Sequence, residues 1–233
     1  MGEAVLPRAR ALVQQAADLQ AEAGRWRSGE AGRLRLGAGP GVTYRLLPEA
    51  VSRFYRTGRA VELRIQAGAA AALVDAVKAG ALDLAVADRG EAEADPALRV
   101  CALPVETVVI LVRPDHPALT GADLSQFPVA TATPPRRLEG QIMPWGQARP
   151  GLVCDDYSVL ARACAASDHI LPTPGITATR LAADHGLVQL REPEAGLSVQ
   201  PALITRAGAP ESAALEALCA CFQAAASAAQ PQS

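Results

Sequence analysis

The sequence predicts an α/β protein of two lobes joined by two crossing strands and preceded by an N-terminal helix. Three observations carry that prediction. Two successive series of short apolar strands alternate with amphipathic helices, the pattern of parallel sheets with right-handed crossovers. Two longer, β-branched runs stand at the boundaries of those series, over 105–112 and 197–205. The chain has 233 residues, which is long for one core of ordinary size and suits two compact lobes.

Composition narrows the function classes. Hydrophobic residues at 50% and charged residues at 20% favour a well-buried core over disorder. A net charge of −2, a pI near 6.0 and only 3% aromatic residues argue against a basic nucleic-acid surface or a base-stacking platform. No apolar run is long enough to span a bilayer. Glu3, Arg8, Arg10, Gln14 and Gln15 break up any secretion-signal layout. Cys101, Cys154, Cys164, Cys219 and Cys221 are odd in number and lack zinc-like spacing, so they read as reduced thiols of a cytoplasmic protein.

Over 1–31 the apolar residues Val5, Ala9, Leu12, Ala16, Leu19, Ala23 and Trp26 follow an alternating four-three spacing, a heptad seam. Such a stripe needs a partner helix. It can lie on its own domain or form a dimer seam; the break at 28–32 favours a connector helix and hence the dimer seam. The chain starts inside this helix, which is expected of a fragment. A strand follows over 33–38, stopped by Gly39-Pro40-Gly41, then a helix through Leu46, Leu47, Val51 and Phe54 to Tyr55. A strand over 61–66 ends at Gly68. The next helix, 69–79, turns Leu73 and Val77 inward and stops at Gly80. Short strands are expected over 82–87 and 100–104.

The second series opens after Pro114 and Pro117. It has strands over 127–131, 151–154, 169–172 and 187–190, helices over 157–166 and 176–183, and a loop or short helix near 138–143. A last helix after Pro210 places Leu215, Leu218, Cys219 and Phe222 on one side and is expected to rejoin the first lobe. The domain plan is 1–31 as linker helix, 32–106 plus 206–233 as the first lobe, and 107–205 as the second. A cleft between two such lobes gathers strand ends and helix N-termini with free N–H groups, so a small anionic guest is expected there.

The segments Gly32-Arg-Leu-Arg-Leu-Gly37, Leu46-Leu47-Pro48, Phe54, Val61-Glu62-Leu63, Gly68, Leu73, Val77, Gly80 and Leu82-Asp83-Leu-Ala-Val86 resemble the effector-binding domain of LysR-type transcriptional regulators. Val109-Ile-Leu-Val-Arg-Pro-Asp-His-Pro-Ala-Leu119 resembles that family's entry into the second lobe. The stretch 160–172 resembles its helix leading to an Ile-Leu-Pro strand end, and 2–12 resembles the start of its linker helix. The resemblance covers nearly the whole chain. It implies two Rossmann-like lobes in the periplasmic-binding-protein type II-like arrangement, a cytoplasmic homodimer or tetramer, and a small-molecule effector. It also implies promoter binding only through a winged helix-turn-helix that would lie before Met1. In the family a first-lobe helix commonly packs on a second-lobe helix of the partner; here the first-lobe helix is 41–56.

The resemblance also implies where the effector touches. Thr43, or Gly41 or Val42 in its place, stands where the family commonly contacts an effector carboxylate; Thr43 can equally cap its helix. The family often carries Ser or Thr after the glycine at 68, whereas this chain has Ala69 and Ala70, which favours an organic acid over an inorganic anion. Gln66 either faces the cleft or forms the polar side of its strand. In the second lobe Thr131, Thr133, Asp156 and Thr173 sit at strand ends, with Asp156 and Thr173 also reading as N-caps and Tyr157 as a wall. Arg136 and Arg137 either clamp a carboxylate or stand solvated. No metal and no cofactor are expected. The three histidines each follow an aspartate (Asp115-His116, Asp168-His169, Asp184-His185), yet no nucleophile elbow and no paired carboxylates point to an enzyme. Buried structural thiols are expected over a redox pair. The alternative to a regulator domain is a solute-binding receptor or a small enzyme on the same two-lobe scaffold.

Overall fold

The computed structural model describes residues 31–134, 143, 150–190, 197–209 and 212–228. Residues 1–30 of the heptad helix expected over 1–31, Arg136, Arg137 and nearly all of the segment near 138–143 lie outside the described residues, and Ala31 itself opens a strand.

The chain first builds β1 (Ala31–Ala38), α1 (Pro40–Tyr55), β2 (Ala60–Ala67), α2 (Ala70–Lys78), β3 (Leu84–Asp88) and β4 (Leu98–Ala102). It then crosses as β5 (Glu106–Val112) and builds β6 (Val129–Thr131), β7 (Pro150–Val153), α3 (Tyr157–Ala165), β8 (Leu171–Pro174), α4 (Gly175–His185), β9 (Val188–Gln189) and β10 (Ser198–Val199). It returns as β11 (Pro201–Arg206) and ends in α5 (Ala213–Ala228).

The first sheet has the order β2-β1-β3-β11-β4. β1 runs parallel to β2 and β3, and β11 runs antiparallel to both β3 and β4. In the second lobe β5 pairs antiparallel with β8 on one side and with β9 and β10 on the other. β6 is parallel to β7 and is joined to β8 by a parallel bridge from Val129 to Ile170. The second lobe therefore reads β7-β6-β8-β5 with a short outer edge, the same order as the first. In each lobe the strand that runs against the others, β11 or β5, arrives from across the junction.

The return crossing falls at Gln200 rather than at 205/206. β11 is registered against β3 and β4 from Pro201 onward, so residues 201–205 belong to the first sheet, not to the second lobe. The run 197–205 is not one strand but two, because Ser198–Val199 pairs with β5 before the chain changes sheets.

Both faces of the first sheet are covered. α1 and α5 bury Leu46, Ala50, Phe54, Leu218 and Phe222 against Leu34, Leu36, Leu84 and Val86. α2 buries Leu73, Val74 and Val77 against Ala85, Ala202 and Ile204 on the other face. The motif residues quoted above have local reasons. A Cβ on Gly37 would stand 2.7 Å from Leu82 Cδ1 and 2.8 Å from Leu73 Cδ2, so only glycine lets these side chains close over β1. Asp83 accepts from the Arg35 backbone N–H at 2.8 Å and from its guanidinium at 2.6 and 3.2 Å, pinning the entry to β3 against β1. In the second lobe α3 and α4 bury Leu160, Ala161, Ala178 and Leu181 against Leu111, Ala130 and Leu171.

His116 is 1% exposed in its Pro-bounded turn. Its Nδ1 accepts from the Ala118 N–H, its Nε2 lies 3.1 Å from Asp168 O, and its ring meets Phe127 edge-on at 4.4 Å. His185 closes α4 before Gly186, whose φ of 67° suits a glycine stop. Phe222→Ala removes a fully buried ring from the first-lobe core. It is expected to cost about 3–5 kcal/mol, read as a lower urea midpoint at an unchanged slope.

Candidate functional site

The strand ends of the two lobes face one another across the crossing strands, and each carries the start of a helix. α1 begins at Pro40, a residue whose missing N–H costs nothing in a first turn. α2 begins after Ala69, which offers no side-chain cap. α3 is capped by Asp156, whose Oδ1 accepts from the Ser158 N–H at 2.8 Å. α4 begins after Pro174, which likewise has no capping side chain. The two first-lobe starts, α1 and α2, have no side-chain cap, which leaves N–H groups available at those strand ends.

At one side the lobes touch. Thr177 Oγ1 donates to Gly41 O at 3.2 Å. Tyr44 Oη donates to Asp184 Oδ2 at 2.9 Å and lies 3.4 Å from His185 Nε2. Burial and the Asp184 hydrogen bond push the Tyr44 phenol up to about 12. Asp184, held by Arg180 and then by Tyr44, sits below the usual carboxylate range. A Cβ on Gly41 would lie 3.5 Å from Pro174, 3.7 Å from Thr177 and 4.0 Å from the Tyr157 ring, so the start of α1 packs directly on the starts of α3 and α4.

The expected contact residues separate on this frame. Gly41 stands at the junction. Val42 is 7% exposed and packs into the first-lobe core, so its side chain is not a cleft wall. Thr43 turns its hydroxyl back to Gly39 O at 2.9 Å and Ala38 O at 3.2 Å, a bond within its own helix start. Gln66 is exposed near the end of edge strand β2. Ala69 presents backbone only. Thr131 donates to Ala132 O at 2.9 Å, and the Thr133 N–H is held by Asp155 Oδ1 at 2.9 Å, so both stay at the second-lobe strand ends. Thr173 is 0% exposed and its hydroxyl donates to Leu171 O, so it is neither an N-cap nor a cleft residue. Tyr157 is 7% exposed, and burial, with Glu106 and Asp155 adding to it, raises its phenol.

Glu106 completes the junction. It opens β5, is 8% exposed, and accepts from the Ile176 N–H, so a carboxylate from the crossing strand caps α4. Its Oε2 is buried with no partner, and burial raises its pKa. An acidic residue ahead of an apolar run is the one sequence signal it leaves. Between α1 and α4, with Glu106 and Thr107 beneath, runs an open groove of about 1310 Å³ whose flanks include Tyr44, Arg45, Glu49 and Arg180.

The catalytic alternatives lose ground at the histidines. The Ser167–His169 contact, 2.8 Å, lies past the C-terminal end of α3, where the same hydroxyl donates to Ala163 O at 2.6 Å. No group of three or more His, Cys, Asp or Glu among the described residues is arranged to hold a metal. All five cysteines are free thiols; burial pushes Cys164 up to about 12 and Cys219 up to about 11. No described helix is long and apolar enough to cross a membrane.

The LysR substrate binding domain family matches residues 27–227. The SDS degradation transcriptional activation protein of Pseudomonas sp. (strain ATCC 19151) is 33% identical over 231 residues, covering 93% of this chain and 74% of that protein. Among solved structures, the effector binding domain of QuiR in complex with shikimate superposes with a TM-score of 0.67 at 16% identity, covering 85% of this chain and 98% of that one. Full-length CbnR in complex with its target DNA superposes at 0.69 and 15% identity, covering 97% and 82%.

The lobe contact is open to a direct test. Gly41→Ala adds a methyl at ordinary contact distances and is expected to leave the shape unchanged. Gly41→Leu wedges Pro174 and Tyr157 away and is expected to raise the radius of gyration in solution scattering, with the far-UV spectrum unchanged.

Proposed function

The chain belongs to the LysR substrate-binding domain family, with the two-lobe periplasmic-binding-protein-like fold, and from that premise we propose that it senses a small organic acid in the interlobe cleft of a cytoplasmic regulator. The observation that carries this reading is the pair of helix starts at the first-lobe strand ends: α1 and α2 lack side-chain caps and so keep N–H donors for a ligand carboxylate. Thr131 and Thr133 stand at a strand end of the second lobe, and Gly41 lets the first lobe come close. That QuiR is solved with shikimate, a hydroxylated acid, supports an organic acid as the class to try first.

The mechanism follows from population shift. A ligand moves the angle between lobes only by the difference in its contact energy with the open and closed forms. Closing contacts already exist in Thr177–Gly41 and Tyr44–Asp184, so the ligand's part is to bias a junction whose own bonds are few and half-exposed. The change in lobe angle passes to a DNA-binding domain outside these 233 residues through a homodimer or tetramer. In that assembly α1 packs on a second-lobe helix of the partner. The described chain supplies recognition and leverage rather than chemistry, in keeping with a family of transcriptional regulators.

A thermal-shift screen of small carboxylic and hydroxycarboxylic acids tests the proposal. At a hundredfold excess over its dissociation constant a cleft ligand adds about 2.7 kcal/mol of stability. The expected outcome is a hit whose shift falls in Thr131→Val and Thr133→Val, each of which removes a hydroxyl at the second-lobe strand end. A hit that both variants bind unchanged, or no hit from the class, defeats the reading.

A further inference from the structure

We propose that the junction between the lobes is proton-linked: with the lobes together Glu106 holds a proton, parting them releases it, and the balance between closed and open forms therefore follows pH. The linkage belongs to the unliganded chain and holds whatever the cleft binds.

Glu106 is a carboxyl placed where a charge has nothing to answer it. It is 8% exposed, one oxygen accepts from the Ile176 N–H, and the other is buried without a partner. Burial acts on it first and the Ile176 hydrogen bond second, and no cation offsets the burial. The surroundings are tight, since a Cβ on Gly175 would stand 3.2 Å from Thr107 O where the start of α4 meets β5. An ionised carboxylate in such a place is costly, and the group keeps its proton instead.

The elements around it supply no other charge that changes over the same range. From α1 come Tyr44, Arg45 and Glu49, and from α4 Arg180 and Asp184. Tyr44 is pushed up to about 12, and the Tyr157 phenol of α3 is raised by its own burial with Glu106 adding to it, so both stay neutral. Asp184 is held below the usual carboxylate range by Arg180 and Tyr44 and stays ionised. Glu49 is engaged by Arg53 at 2.7 Å, and Asp155 by the Thr133 N–H at 2.9 Å. The strands beside β5, namely β8, β9 and β10, carry no titratable side chain.

Position couples this proton to the lobes. Glu106 lies beneath the groove between α1 of the first lobe and α4 of the second. Tyr157, whose phenol feels its charge, has its ring 4.0 Å from where a Cβ on Gly41 would stand, at the start of α1. Thr177–Gly41 and Tyr44–Asp184 hold the lobes together at the same place. Swinging α1 away admits water above Glu106, and a hydrated carboxyl ionises in its ordinary range. The closed form thus binds the extra proton, so lowering the pH favours closure and raising it favours opening. One proton changes the closed-to-open ratio by at most about tenfold per pH unit, and only between the midpoints of the two forms.

Carbon-13 NMR of the full 233-residue chain, labelled at its glutamate carboxyls, together with X-ray scattering over the same pH series tests the linkage. Glu106→Gln keeps an acceptor for the Ile176 N–H and has no proton to lose, so it assigns the Glu106 signal and serves as the reference. His185, beside Tyr44, is present in both chains, so any contribution from its ring is common to them. Should the glutamine chain not fold, Glu106→Asp makes the assignment and the wild-type series decides alone. The expected result is a Glu106 midpoint above those of the exposed glutamates, with the radius of gyration growing through that midpoint, and growing less in Glu106→Gln. A Glu106 midpoint no higher than those of the exposed glutamates overturns the proposal. So does a radius of gyration that stays constant through the Glu106 midpoint, or that changes equally in Glu106→Gln. No ligand enters the experiment, so its failure leaves the sensing proposal standing, and the failure of sensing leaves the linkage standing.

Discussion

The molecule depends on an exchange of strands. β11 completes the first sheet between β3 and β4, yet the chain reaches it only after building the second lobe. β5 occupies the matching place in the second sheet and is reached directly from the first. Each lobe therefore has at its centre a strand whose neighbour in sequence belongs to the other. The two lobes cannot drift apart, but they can rotate about the pair of crossings near Glu106 and Gln200. Gln200 also ties the crossing together, since it accepts from Arg89 at 3.0 Å and donates to Leu103 O at 3.1 Å. Everything proposed about sensing rests on this arrangement, because a rotation about two fixed threads is the one large motion it leaves cheap.

The site inherits its character from that geometry. The strand ends deliver backbone donors more than side-chain ones. Where hydroxyls are present, as at Thr43 and Thr173, they satisfy carbonyls of their own segments. What the lobes place in each other's reach is a set of helix starts, two tyrosines and one buried carboxylate. The carboxylate is the unusual member. A glutamate at the first residue of a crossing strand serves as the cap that Pro174 cannot supply, so the start of α4 is fixed to the crossing itself. Any shift of the crossing is transmitted to that helix without slack.

Much of the fold was legible in the sequence because its signals are local. The alternation of 33–38, the inward stripe of α1 and the stop at Gly80 each follow from a few adjacent residues, and all three appear where the pattern puts them. The parallel pairing of β1 with β2 and β3, too, follows from the regular alternation with helices. The point at which the chain changes sheets did not. Residues 197–205 are uniformly compatible with a strand, and only partners distant in sequence decide that 198–199 belongs with β5 and 201–206 with β3 and β4. The same limit applies to the site. Composition shows that Val42 is apolar and Thr173 polar, but their burial is decided by α5 in one case and by the neighbouring strands in the other. Glu106 was the least legible of all, since its meaning comes from an N–H seventy residues on.

The exchanged strands also impose an order on synthesis. The second lobe is drawn from one uninterrupted stretch, β5 to β10, and every partner it needs has emerged once residue 199 has left the ribosome. The first lobe begins earlier but waits: until residues 201–228 follow, β3 lacks its antiparallel neighbour and α1 lacks the helix that covers Phe54. The half that is translated first is thus the half that matures last. Its exposed apolar face, Leu36, Leu46 and Phe54 among it, is the part of the nascent chain with most to gain from a chaperone.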